Sequence, residues 1–126
     1  MTTANTDYSY TADIIRVVDG DTIDISIDLG FEVARKERVR IAGINAPEIH
    51  TKDAAEKAAG MTARQFVVDW VAKHPQVTVT TVKDAEKYGR YLAHVVGTDG
   101  QDLGQLLLAA NLAKPYDGTG PRASFA

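Results

Sequence analysis

Apolar and polar positions alternate along much of the first third of the chain. Tyr8, Tyr10, Ala12, Ile14 and Val18 fall to one face of a first strand over 8–18. Ile23, Ile25, Ile27 and Leu29 alternate with Asp24, Ser26 and Asp28, the cleanest period-2 pattern in the sequence. Asp19-Gly20-Asp21 separates the two as a turn, with Gly20 expected to supply an unusual φ. After a bend at Gly30, a long third strand is expected over 31–44, with Val39 and Ile41 alternating with Arg38, Arg40 and Ala42. It must leave the sheet near Pro47, which cannot donate to a ladder and holds Ala46 extended.

The period then changes. Over 51–73, Ala55, Ala59, Ala63, Phe66, Val67, Trp70 and Val71 recur at spacings of three and four, which predicts a helix with one apolar stripe. Gly60 costs about 1 kcal/mol relative to alanine there, so loose first turns are expected. His74-Pro75 ends the helix. The β-branched run over 77–82 predicts a fourth strand. A polar loop follows over 84–90, then a fifth strand over 91–96. Asp102 is an N-cap for a short helix with Leu103, Leu106, Leu107 and Ala110 inward, and Asn111 is placed to end it in the left-handed conformation. Residues 115–126 read as an aperiodic tail. Five short strands with a helix between the third and fourth predict a mainly β fold, a five-stranded, partly open Greek-key barrel of the OB-fold kind. One domain over 1–126 is expected, with flexible ends at 1–7 and 117–126.

Composition narrows the function classes. The chain has 126 residues, 44% hydrophobic and 25% charged, as a globular chain does. With no cysteine there are no disulfides, thiolate metal sites or cysteine nucleophiles. No apolar run spans a membrane, and residues 1–12 lack a secretory signal, so the expected compartment is the cytoplasm. The net charge of −3 sits poorly with binding phosphates. The cations are clustered, however: Arg35, Lys36, Arg38 and Arg40 in one group, and Lys83, Lys87 and Arg90 in another. A local basic cleft on an acidic protein follows from that distribution.

Asp19, Asp21, Asn45 and Glu48 are hard oxygen groups at strand ends, suited to Ca²⁺ or Mg²⁺ and poor for soft metals. Taken singly each is ordinary. Asp-Gly-Asp is a common turn, an alternating arginine is usually a solvated strand face, and Lys87-Tyr88-Gly89-Arg90 makes a plain loop. His50, His74 and His94 lack metal-ligand spacing, and Trp70 belongs to the helix stripe.

In combination they carry more. Val18-Asp19-Gly20-Asp21-Thr22-Ile23, Val39-Arg40-Ile41 through Ala46-Pro47-Glu48, and Tyr88-Gly89-Arg90-Tyr91-Leu92-Ala93, in this order and spacing, resemble the staphylococcal-nuclease-like (thermonuclease) family in its compact form. The resemblance covers roughly residues 14–114. It implies a calcium-dependent nuclease cutting phosphodiester bonds of DNA or RNA and leaving a 5′-hydroxyl and a 3′-phosphate. By position it makes Asp21 the main Ca²⁺ carboxylate, joined by Asn45 and the backbone carbonyl of Ala46, with Asp19 behind them. Glu48 would orient the attacking water, Arg40 and Arg90 would hold the scissile phosphate, and Lys87 and Tyr88 would lie near the terminal phosphate. A divalent cation and two guanidinium groups suit this chemistry, because attack adds charge to an already anionic phosphorus.

Two features depart from the family. Asn45 stands where the best-known member has an aspartate, so weaker Ca²⁺ binding is expected. The chain also ends in a short tail, whose Tyr116 stacks on a base, covers the cleft or packs the tail onto the barrel. The alternative to an enzyme is a nuclease-like module that binds nucleic acid or a protein partner without cutting. A monomer is expected, and a compact nuclease with no visible leader is compatible with a phage or mobile-element origin.

Overall fold

A computed structural model describes residues 8–82 and 91–116. Five strands close a barrel in the order β1-β2-β3-β6-β5. These are β1 (Ser9–Asp19), β2 (Thr22–Asp28), β3 (Ala34–Ile41), β5 (Gln76–Thr81) and β6 (Tyr91–Val96). All neighbours are antiparallel except β3 and β6, which run parallel, Val39 opposite Tyr91 and Ile41 opposite Ala93. Two helices, α1 (Ala54–Lys73) and α2 (Leu103–Ala109), complete the expected mainly β architecture. Inward side chains from every barrel strand meet α1 and α2: Ala12, Val17, Ile23, Ile25, Val39, Ile41, Val77, Val79, Ala93 and Val95, with Val67, Trp70, Leu103 and Leu107. Each fully buried valine, leucine or isoleucine contributes about 1.5–3 kcal/mol of transfer free energy. No helix among the described residues is long and apolar enough to cross a membrane.

The structure differs from the period-2 reading in ways that matter for the site. In β1 the pairing slips between Ile14 and Arg16 and again between Val17 and Asp19. Each slip leaves one residue over, so the inward face passes from Ile14 to Val17, and Val18 loses the inward place the alternation assigned it. The expected third strand is two. β3 stops at Ile41, the chain turns through Gly43 at φ 84°, and Ile44–Asn45 form β4. β4 pairs with β7 (Lys114–Pro115), so the start of the predicted tail is ordered. Pro115 is tolerated because a two-residue strand asks little of its missing N–H.

Helix α1 starts at Ala54, capped by Asp53, whose carboxylate accepts from the N–H of Ala55 and Glu56. Its first turn is therefore secured, and Ala55 is solvent-exposed. Gly60, Ala63, Val67 and Trp70 form the buried face. α2 has the expected Asp102 cap and Asn111 at φ 58°, but stops before Ala110, which is exposed.

The β2–β3 turn carries a cost. Val33 N–H donates to the Gly30 carbonyl at 2.8 Å, and the two residues between, Phe31 and Glu32, have φ 53° and 62°. Bulky side chains are disfavoured there, and Phe31 is fully exposed with no packing in return. Replacing Phe31-Glu32 by Asn-Gly, the pair preferred when both central residues have positive φ, is expected to stabilise the protein by about 1 kcal/mol. An unchanged or lower Tm in thermal unfolding would contradict it.

Candidate functional site

The site forms where the β1–β2 turn, the end of β3, β4 and the segment after β7 meet. Gly20 sits in the turn without a positive φ, contrary to the sequence expectation. It is required by crowding: a Cβ there would lie 2.7 Å from the Cβ of Ala63 on α1 and 3.0 Å from that of Ala46. This close approach sets Asp21 against the start of the Ala46-Pro47-Glu48 segment. Asp21, 6% exposed, accepts from Ala46 N–H at 2.9 Å through Oδ2, and from the Thr22 hydroxyl at 3.0 Å through Oδ1.

Arg40 is opposite Thr22 in the β2–β3 register, and its side chain turns into the site. It is 5% exposed, far from the solvated arginine that alternation alone describes. Its Nη2 donates to Asn45 Oδ1 at 2.9 Å and lies 3.5 Å from Asp21 Oδ2. The Tyr116 ring sits against the guanidinium, 5.7 Å from the Arg40 Cζ to the ring centroid, in cation–π range. Tyr116 is brought there by the β4–β7 pairing and by its own N–H, which donates to the Gly43 carbonyl at 2.9 Å.

Asp19 stands beside this group. Burial pushes its carboxyl up to about 7, reinforced by a hydrogen bond and charge repulsion from Asp21. Two carboxylates this close suit a shared cation. Asp19, Asp21, the Asn45 amide oxygen and the Ala46 carbonyl are all hard oxygen donors, which fits Ca²⁺ or Mg²⁺. Among the described residues no three His, Cys, Asp or Glu converge as a metal cluster, so such a site depends on the amide and carbonyl as well as the carboxylates. Glu48 lies half-buried on the following loop, its N–H donating to Glu56 Oε2 at 3.0 Å.

The structure thus gathers Asp19, Asp21, Arg40, Asn45, Ala46 and Tyr116, with Glu48 three residues beyond Asn45. Lys87, Tyr88 and Arg90 lie outside the described residues. The expected basic cluster before Pro47 is largely neutralised, since Arg38 pairs with Asp24 at 2.8 Å and Arg35 with Glu37. His74 and His94 stand elsewhere, 3.6 Å from Asp99 and 3.5 Å from Asp102, while His50 is exposed two residues beyond Glu48. The sequence alone gives Thr22, Glu56 and Gly60 no place in the site. An Asp53-x-x-Glu56 spacing before an apolar run, and a glycine inside a helix, were the available signals.

The site thus sits at the strand ends of a small closed barrel, with a buried arginine among oxygen donors. Residues 38–124 match the staphylococcal nuclease homologue family, and the chain belongs to it. A protein of Escherichia coli named as an uncharacterized endonuclease is 30% identical over 104 residues, covering 82% of this chain and 60% of the relative. Protein ParB of Escherichia coli is 34% identical over 83 residues, 66% of this chain and 40% of that protein. An uncharacterized protein of Methanocaldococcus jannaschii is 28% identical over 112 residues, 75% of this chain and 52% of that protein. The chain therefore spans only part of the length of these relatives.

The Asp19–Asp21 contact predicts a pH signature. With its carboxyl near 7 in the fold against 3.8 ordinarily, Asp19 holds a proton that the unfolded chain releases, so its contribution to stability falls as pH rises between those values. Asp19→Asn keeps the acceptor for Asp21 N–H and removes the charge. In metal-free protein its Tm is expected to exceed wild type at pH 8, with a smaller gain at pH 4. Equal differences at both pH values would show that the Asp19 charge is not disfavoured by the fold.

Proposed function

We propose that this chain is a calcium-dependent nuclease that hydrolyses phosphodiester bonds in DNA or RNA and leaves 3′-phosphate ends. The observation that carries the reading is Arg40, buried at the strand exit beside Asp21 and Asn45 and covered by Tyr116. A guanidinium is always charged, and its planar fork suits bidentate contact with a phosphate once it exchanges its contacts with Asp21 and Asn45. Family membership and the endonuclease name of a relative support the same reading.

Asp21, Asn45 and the Ala46 carbonyl would hold the metal, with Asp19 behind them. When bound, Ca²⁺ supplies positive charge against the phosphoryl oxygens as the transition state forms. Glu48 orients the attacking water and takes its proton. Arg40 and Arg90 bind the phosphoryl oxygens as charge builds on them. The bond from phosphorus to the 5′-oxygen breaks, that oxygen gains a proton, and the phosphate stays on the 3′ side. Lys87, Tyr88 and Tyr116 contact the bound nucleotide. The nuclease-like domain within this chain would act on nucleic acid as a monomer. One observation favours a second reading, a module that binds nucleic acid or protein without cutting. Asn45 is neutral, and its amide oxygen already accepts from Arg40.

Cleavage of single-stranded DNA separates the two. Wild-type protein in excess Ca²⁺ is expected to give 3′-phosphate products and to lose activity in EDTA. Arg40→Lys keeps the charge and loses the fork, and should slow turnover by roughly a hundredfold, the scale of losing one transition-state donor. Full activity in EDTA would end the calcium mechanism. Binding without products in Ca²⁺ would favour the second reading, and wild-type turnover in Arg40→Lys would remove Arg40 from the chemistry.

A further inference from the structure

Helix α1 does more than fill the core. Its N-terminus has the spacing of a capping box, with Asp53 as N-cap and Glu56 three residues later. In a capping box the second residue returns its side chain to the N–H of the cap. Here the Asp53 N–H already donates to Thr51 Oγ at 3.2 Å. Glu56 instead reaches out of the helix and accepts from the Glu48 N–H at 3.0 Å. An ionised acceptor makes this a strong hydrogen bond, and it fixes the backbone of one residue.

One turn further along the same face stands Gly60. A Cβ there would lie 2.8 Å from the Pro47 carbonyl oxygen and 2.9 Å from that of Glu48. The glycine that weakens the helix thus admits the Pro47-Glu48 backbone directly against it. Glu56 and Gly60 are four residues apart and so share a helix face. One takes the N–H of Glu48 while the other makes room for its carbonyl. Three residues on, Ala63 meets Gly20 in the turn that carries Asp21. A single rigid face therefore sets Glu48 and Asp21 relative to each other.

We infer that Glu56, assisted by Gly60, is a positioning residue for Glu48: it fixes the loop from which the Glu48 carboxylate addresses the attacking water. The inference rests on the reading of Glu48 under Proposed function. It predicts a loss confined to turnover, because nucleotide binding does not need Glu48 aligned.

The test compares wild type with Glu56→Ala, Glu56→Gln, Gly60→Ala, Glu48→Gln and the double variant Glu48→Gln with Glu56→Ala. Turnover is measured on single-stranded DNA in Ca²⁺, binding with a deoxynucleoside 3′,5′-bisphosphate, and Glu48 amide exchange by NMR. Glu56→Ala and Gly60→Ala should lower kcat by roughly ten- to hundredfold, the scale of misplacing a reacting group by about an ångström, with bisphosphate affinity unchanged. Glu56→Gln, whose amide oxygen still accepts, should keep kcat within about threefold of wild type. In the Glu48→Gln background, Glu56→Ala should cost nothing more. The Glu48 amide should exchange about tenfold faster in Glu56→Ala than in wild type. Val71→Ala, which truncates a partly buried side chain packed against the core near the far end of α1, controls for stability: it should lower Tm and leave kcat unchanged. Wild-type kcat in Glu56→Ala, an equal loss in both Glu48 backgrounds, or an equal loss in Val71→Ala at matched Tm would overturn the inference. If wild type cuts no substrate, the nuclease reading fails separately, and unchanged Glu48 amide exchange in Glu56→Ala would then overturn the positioning role by itself.

Discussion

Asp21 and Arg40 are two opposite charges taken almost wholly out of water, and the arrangement around them follows from that. Such a pair is tolerated only when its remaining hydrogen-bonding capacity is met, and removing one partner typically costs about 3–5 kcal/mol. Here Ala46 N–H and the Thr22 hydroxyl donate to Asp21, Asn45 Oδ1 accepts from Arg40, and the Tyr116 ring lies against the guanidinium. Those partners come from the start of β2, from β4 with the residue after it, and from the segment after β7. The tight turn at Gly43 and the short β4–β7 pairing, unnecessary to a closed barrel, are what bring the last two into reach.

Close packing of small residues performs the same service for the loops. Gly20, Ala46 and Ala63 meet with no room for another carbon at Gly20, and Gly60 lies directly against the Pro47-Glu48 carbonyls. A helix docked this tightly gives its loops little freedom to drift, which suits a site whose groups must hold their geometry. The cost is visible in the sequence as a glycine inside α1 and a second one in the β1–β2 turn.

The barrel was legible because β2 and the end of β3 alternate cleanly: Ile23, Ile25, Val39 and Ile41 are buried where the pattern places them. Asp53-Glu56 and Asp102 marked the helix starts, although only Asp102 was read as a cap. What alternation could not show was anything set by contacts distant in sequence. The pairing of Asn45 with Lys114 and the contact of Arg40 with Tyr116 depend on partners far along the chain, and the β1 slips that turn Val17 inward are set by its register against β2. Gly20 and Gly60 were misjudged for the same reason. Local propensity assigns a glycine to φ or to entropy, whereas here each is set by a neighbour more than ten residues away in sequence. Composition told least about the site, since the net charge of −3 pointed away from a phosphate-binding function.

The central claim is that Arg40 and the oxygen donors beside it form one phosphate-binding centre, in which a cation offsets the charge of Asp21 while the guanidinium takes the anion. Cation and anion should then assist each other, and by linkage the coupling is reciprocal. Calorimetric titration of a deoxynucleoside 3′,5′-bisphosphate into the wild-type chain, with Ca²⁺ and again with EDTA, measures that coupling directly. The account predicts an affinity at least about tenfold tighter in Ca²⁺, equivalent to about 1.4 kcal/mol. Equal affinity in the two conditions would contradict it.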